Sequence, residues 1–320
     1  MEVFDAHCDF LGKLEEDPSI SFIHTSCQSA ISKPRLEKGN VALQFFSIFI
    51  SKKGRNPTFA DLLSMFDHGQ REVFLSPDVK LIQFKDDLQY MDENRKLGAL
   101  LSLEGVEALE GNLMNLRIAY WLGVRSIGVT WNHANWAADG IMEPRGAGFT
   151  LEGRKLLEEC MRLGMMIDVS HLSIRGFWEI VELTNKPFHA SHSNVKEICP
   201  HPRNLDNDQI DEMVKRNCII GLTFVPYFVT ERNAQMKDLF NHIDHICARG
   251  GVHHIGFGSD FDGISEWIPN LEHPGHYSEF ADLMLKYYSE DMVRNFLAGN
   301  WRRYLLNNLP ERNVSYLSTE

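Results

Sequence analysis

Five times along this chain a helix-like segment ends at a residue able to adopt positive φ and passes at once into an apolar run. The instances are RKLGALLSLE, YWLGVRSIGVTW, MRLGMMIDVSH, KRNCIIGLTFV and ARGGVHHIGFGSD. Such joints mark serial βα units and exclude an all-helical bundle or a sandwich. Adding the apolar stretches near residues 2–8, 41–50 and 187–191 gives eight strands, the number that closes a (β/α)8 TIM-type barrel. Helices are expected near 112–122, 153–163, 174–184, 207–216, 234–248 and, in two pieces, 278–307, with further helical patterning around ADLLSMFDHG and DDLQYMDENRKL. In GRKLLEECMRL, Leu156, Leu157, Cys160, Met161 and Leu163 make one broad face, as a helix packed on a sheet requires. No proline-rich or low-complexity linker interrupts the pattern, so one domain over residues 1–320 is expected, with a polar tail from about residue 310.

Composition removes several function classes. With 32 Lys and Arg against 44 Asp and Glu, the net charge of -12 disfavours a nucleic-acid or anionic-lipid partner. Short basic clusters such as Lys52, Lys53 and Arg55, or Arg302 and Arg303, are solvated surface. The longest apolar stretch, VALQFFSIFI, is too short to span a bilayer, and MEVFDAHCDF lacks the pattern of a signal peptide. Six scattered cysteines without a C-x-x-C pair point to free thiols in a reducing cytoplasm. Cys8 is expected in the barrel wall, because alternation turns it away from its neighbours.

Those neighbours carry the chemistry. His7 and Asp9 close VFDAHCD, Glu104 closes GALLSLE, His171 closes MMIDVSH, His192 closes PFHASH and Asp260 closes VHHIGFGSD. The carboxyl ends of barrel strands share one mouth, where active sites sit. His7 and Asp9 are two apart and so face one way on a strand, about 7 Å apart at Cα. A mixed set of imidazoles and carboxylates suits Zn2+ or another divalent transition metal better than Ca2+ or Mg2+. Six donors exceed the needs of one tetrahedral ion. The expectation is therefore a binuclear site, with His7 and Asp9 on one cation, His171 and His192 on the other, Glu104 between them, and attack by a hydroxide that the two cations share. The other histidines, including His24, His68, His242 and His245, are expected to be structural, and His253 and His254 to pack away from the mouth.

DAHCD, SLEG, DVSHLS, ASHSN followed by HPRN, and GSDFDG together resemble the motif series of the membrane dipeptidase (renal dipeptidase) family, in order and spacing from residue 5 to about 300. The resemblance implies a barrel with two zinc ions that hydrolyses dipeptides, including those with a D-residue at the C-terminal position. It implies the same metal ligands, Arg203 on the substrate carboxylate, and Asp260 as the group that takes a proton from water and returns it to the leaving amine. Asp262, pointing the other way, is expected to be structural. Many family members carry a histidine after a Leu-Thr pair beyond strand four, to polarise the substrate carbonyl. Here Trp131 follows Thr130, and Asn132 and His133 come next as substitute donors. The resemblance further suggests a soluble bacterial-type member and a homodimer, with selectivity set by loops near 52–60, 140–149 and 225–233. The rival readings are an amidohydrolase-type enzyme acting on cyclic amides, esters or bases, and a non-catalytic binding barrel. Amidohydrolase sites commonly open with His-x-His and bridge through a modified lysine, unlike the His-x-Asp and Glu104 of this chain.

Overall fold

The computed structural model describes residues 1–51 and 54–312. The expected tail from residue 313 onward, and Lys52 and Lys53, lie outside them. Nine strands appear in chain order: β1 Val3–Asp5, β2 Val41–Phe49, β3 Val79–Leu81, β4 Leu97–Glu104, β5 Val124–Gly128, β6 Met166–Asp168, β7 His189–Ala190, β8 Ile219–Leu222 and β9 Ile255–Phe257. All pairings between them are parallel. The order β2-β1-β9-β8-β7-β6-β5-β4 closes through a β2–β4 pairing, so eight strands form the barrel. The ninth, β3, was not expected; it pairs with Leu97–Ala99 at the start of β4, on the edge that β5 takes over from Leu101.

Parallel strands are covered on both faces, which is why they read as continuous apolar runs rather than alternating ones. One apolar cluster lies between sheet and helices and includes Leu101, Leu103 and Ile127; a second fills the barrel with Phe4, Leu43, Phe45, Leu100, Met166 and Ile219. Trp301 and Tyr304, from helix Asn300–Asn308, close its floor. Trp301 packs on Phe45 at 5.4 Å between ring centroids, and a Cβ at Gly256 would collide with its indole.

Helices fall near their expected places. Leu151–Leu163 begins where the Thr150 side chain accepts from Gly153 N–H at 2.9 Å and ends at Gly164, φ 73°. Leu113–Leu122, Ile174–Leu183, Asn207–Lys215 and Leu239–Ala248 follow suit. The last helical region runs as Tyr277–Met284, Glu290–Arg294, a wider turn over Asn295–Gly299, and Asn300–Asn308. Cys8 is buried in the outer apolar layer, as expected. His254 sits beneath the strand starts and bonds Cys218 O through Nδ1 at 2.7 Å.

Candidate metal centre

Every expected donor reaches the mouth, but only Glu104 does so as a strand residue. β1 stops at Asp5, and His7 and Asp9 lie on the segment beyond it. His192 is two residues past β7, and His171 and Asp260 are each three past β6 and β9. His171, Asp260 and Asp262 take φ values of 67°, 68° and 69°, the left-handed region that β-carbons disfavour. At His171 and Asp260 such a turn brings the side chain to the Glu104 and His7 cluster.

Around Glu104 the donors divide by oxygen. Oε2 faces His7 Nε2 at 3.5 Å, while Oε1 faces His171 Nε2 at 2.9 Å and His192 Nε2 at 3.7 Å. On the first side His7 Nε2 also lies 3.5 Å from Asp9 Oδ2 and 3.8 Å from Asp260 Oδ1. On the second, the two imidazole Nε2 atoms approach to 2.9 Å. Donors around a tetrahedral ion at the usual zinc bond lengths sit roughly 3.3 Å from one another, the centre of this range. His7 Nε2 and Asp9 Oδ1 are buried without a hydrogen-bond partner, an expensive arrangement that a cation would relieve. The residues therefore fit divalent metal. A Cβ at Gly263 would collide with carboxylate oxygens of both Asp9 and Asp260, so glycine keeps that side clear.

Charge supports the same reading. Burial pushes the His7 ring down, yet Glu104, Asp9 and Asp260 outweigh it and raise the ring to about 10. Burial lifts the Glu104 and Asp260 carboxyls. For His171 and His192, burial, aided by Arg203 and His7, holds the rings well below the ordinary histidine range, leaving them neutral and able to ligate.

Both neutral rings are held from behind. Asn132 Oδ1 lies 2.8 Å from His171 Nδ1. Ser191 Oγ lies 2.7 Å from His192 Nδ1 and donates to Asp168, whose other oxygen accepts from the backbone N–H groups of Ser170 and Ser191 at 2.9 Å. A partner on Nδ1 fixes the tautomer and turns Nε2 toward the metal. Burial opposes ionisation of Asp168, but His189, Ser191 and those N–H groups hold it below the carboxylate norm.

Arg203 is 5% exposed and lines the same cavity as Glu104 and Asp260. Its guanidinium bonds His192 O at 3.2 Å and Ser193 Oγ at 3.5 Å and lies over the Phe228 ring. Nε has no partner, and no carboxylate pairs with Arg203 among the described residues. The surface pairing with Asp206 or Asp208 that its sequence neighbours permit is thus absent. Burial lowers its pKa to about 10.

Residues 1–310 match the model of the membrane dipeptidase family, peptidase family M19. The chain belongs to that family. It is 28% identical over 301 residues to dipeptidase aclJ of Aspergillus oryzae, covering 88% of this chain and 71% of that one. To an uncharacterised dipeptidase of Schizosaccharomyces pombe it is 31% identical over 271 residues, covering 79% and 64%. The chain thus spans about two thirds of the length of these curated relatives. Among solved structures, dipeptidase AC, a metallopeptidase of family M19, superposes with a TM-score of 0.88 at 26% identity over 97% of this chain and 99% of that one. A metallopeptidase from Rhodobacter sphaeroides, solved with a phosphinate mimic of L-Ala-D-Ala, gives 0.88 at 25% over the same shares.

The two donors offered in place of the family's strand-four histidine stand differently in the fold. Asn132 Oδ1 meets His171 Nδ1, and Asn132 also lines the cavity, so its amide NH2 remains free to donate there. His133 is exposed and does not line the cavity; its carbonyl anchors the loop by accepting from Gly140 N–H. Trp131, Asn132 and Met142 of that loop line the cavity. Asp262 is structural as expected, accepting from Ser29 Oγ and from the N–H groups of Ala30 and Ile31. Sequence reasoning missed Asp168, Ser191 and His201. The last stands two residues before Arg203, accepts its backbone N–H at 3.2 Å and packs on Phe228; its place in HPRN was the available signal. Of the loops expected to set selectivity, Met142, Tyr227 and Phe228 line the cavity, while residues 54–60 do not.

Proposed function

We propose that this protein hydrolyses the peptide bond of dipeptides, with L- or D-residues at the C-terminal position, using two divalent cations, most simply Zn2+. The observation that carries the reading is a buried guanidinium without an acidic partner, Arg203, in the same cavity as the unrelieved donor cluster around Glu104. A cation cluster alone suits many hydrolyses; the added anion receptor suits a substrate with a free carboxylate, as in the mimic bound by the Rhodobacter sphaeroides relative. At about 390 Å³ the cavity favours a small substrate.

His7 and Asp9 would hold one cation, His171 and His192 the other, and Glu104 both. When bound, such cations supply Lewis acidity and bring the pKa of water toward neutrality. Arg203 holds the terminal carboxylate through its planar fork of N–H groups and so fixes the position of the scissile carbonyl. Asp260 takes the proton of the attacking water and delivers it to the departing amine. The raised Asp260 carboxyl, disfavoured as an anion by burial, suits a group that must carry a proton. The six cysteines are free, which supports a reducing, cytoplasmic setting, and no described helix is long and apolar enough to cross a membrane.

The test is a panel of L,L and L,D dipeptides beside hydantoins and nucleosides, assayed before and after chelation. Dipeptide hydrolysis abolished by chelator and restored by Zn2+ is the expected result. Turnover confined to hydantoins or nucleosides would reassign the chain to cyclic amide hydrolysis or deamination.

A further inference from the structure

The cavity has two walls of different character. One carries Arg203, Tyr227 and Phe228; the other carries Phe49, Trp131 and Met142. Phe49 ends β2 in register with Glu104. Trp131, three residues past β5, packs against it at a tilt with ring centroids 5.1 Å apart and lies 6.2 Å from the His171 ring. In the closed ring of eight strands, β2 and β7 are separated by three strands in either direction. The loop after β7 carries Arg203, so the walls face one another across the mouth.

The second wall has no evident duty in holding the fold. Trp131 is 40% exposed and Met142 42%, large apolar surface turned toward the cavity, which in a cleft marks a ligand contact. It presents no cation; Lys13, which also lines the mouth, is paired with Glu16 at 3.0 Å. Asp9, Glu104 and Asp260 flank the floor between the walls. An acidic side chain there would meet carboxylates, and a small one would leave the indole in water.

A dipeptide held at its carboxylate by Arg203 must run its first residue away from Arg203. Successive Cα atoms are about 3.8 Å apart, so the bond to be cut lies over Glu104 and the first side chain reaches the opposite wall. We propose that Phe49 and Trp131 form the subsite for the side chain of the N-terminal residue, and that they select large apolar or aromatic residues there over glycine or aspartate. This inference rests on the dipeptidase reading above.

The experiment compares kcat/KM of the Zn2+-loaded protein for L-Phe-L-Ala, L-Leu-L-Ala, Gly-L-Ala and L-Asp-L-Ala, with L-Ala-L-Phe and L-Ala-L-Ala as the position controls. Wild type should prefer L-Phe-L-Ala over Gly-L-Ala by roughly 10- to 100-fold, the range open to a pocket that reads apolar bulk. Trp131→Ala should collapse that ratio at least about tenfold, chiefly through KM, Trp131→Phe should restore most of it, and Phe49→Ala should act in the same direction as Trp131→Ala. The ratio of L-Ala-L-Phe to L-Ala-L-Ala should not move. If wild type cleaves all these dipeptides equally, or if Trp131→Ala lowers every substrate by one factor, the subsite is wrong while the dipeptidase reading stands. Should wild type cleave none of them, both fall together.

Discussion

Both ends of the barrel open into hollows, and they differ in what their polar groups are doing. The hollow beneath the strand starts is the larger, about 870 Å³ against about 390 Å³ above the strand ends. Below, opposite charges satisfy one another: Arg302 bridges Glu2 and Asp92 at 2.7 and 2.6 Å, Lys33 pairs with Asp78, and Lys96 donates to Pro77 O. Above, carboxylates and imidazoles crowd together, and His7 Nε2, Asp9 Oδ1 and Arg203 Nε find no protein partner. Unspent hydrogen-bonding capacity, and not volume, separates a site from a crevice.

The contrast can be broken from either end. The largest effect belongs to Asp260: Asp260→Asn should lower kcat for a dipeptide by roughly 10²- to 10⁴-fold, as loss of a proton carrier does, with cation content by elemental analysis near that of wild type. Loss of cation instead would make Asp260 a ligand.

Acid should loosen the upper end through His242. This ring is fully buried, with Nδ1 accepting from Val195 N–H at 3.1 Å and Nε2 donating to Val229 O at 2.9 Å. It thereby ties the segment after His192 to the segment beside Arg203. Burial lowers it from 6.5 to about 4. Because the folded ring resists a proton that the unfolded chain accepts, its contribution is complete above about pH 6.5 and is lost as pH falls toward 4. That loss is on the order of 3 kcal/mol. In urea titrations of metal-free protein, His242→Gln should be less destabilised than wild type over this interval by a similar amount; parallel pH profiles would clear His242 of the effect.

Smaller still is the change expected behind His192. Ser191→Ala cuts the link from Asp168 and should weaken cation binding by about 10- to 100-fold, read by competition with a chromogenic chelator. An unchanged affinity would mean that packing alone orients the ring. At the opposite end, Arg302→Ala should leave kcat/KM as it was and cost no more than about 1 kcal/mol of stability. A marked fall in turnover would mean that the lower hollow communicates with the chemistry.

How legible these ends were in the sequence follows from what sets each. The barrel strands were readable because parallel strands are buried on both faces and so leave apolar runs, most of them preceded by a residue such as Gly123 or Gly164 that takes positive φ. β3 escaped because VKL is short, half-buried and pairs with only three residues of β4. Residue type and position pointed to the six side chains that gather around Glu104 and His7, but not to their seats. Strands end two or three residues early, and left-handed turns, invisible to hydropathy, aim His171 and Asp260. Sequence order does not distinguish Asn132 from His133; only the fold shows that one turns inward to His171 while the other faces solvent. Nothing in the sequence links Asp168 to Ser191; only the approach of β6 to β7 makes them a pair.

The left-handed φ values of His171 and Asp260 set endurance against catalysis at single positions. Such backbone conformations in residues with a β-carbon cost on the order of 1–3 kcal/mol each, a burden glycine would not carry. A protein selected only to survive heat should accept glycine at both places and become tougher and inert. At these two positions the main chain carries a conformational cost in residues whose side chains reach Glu104 and His7.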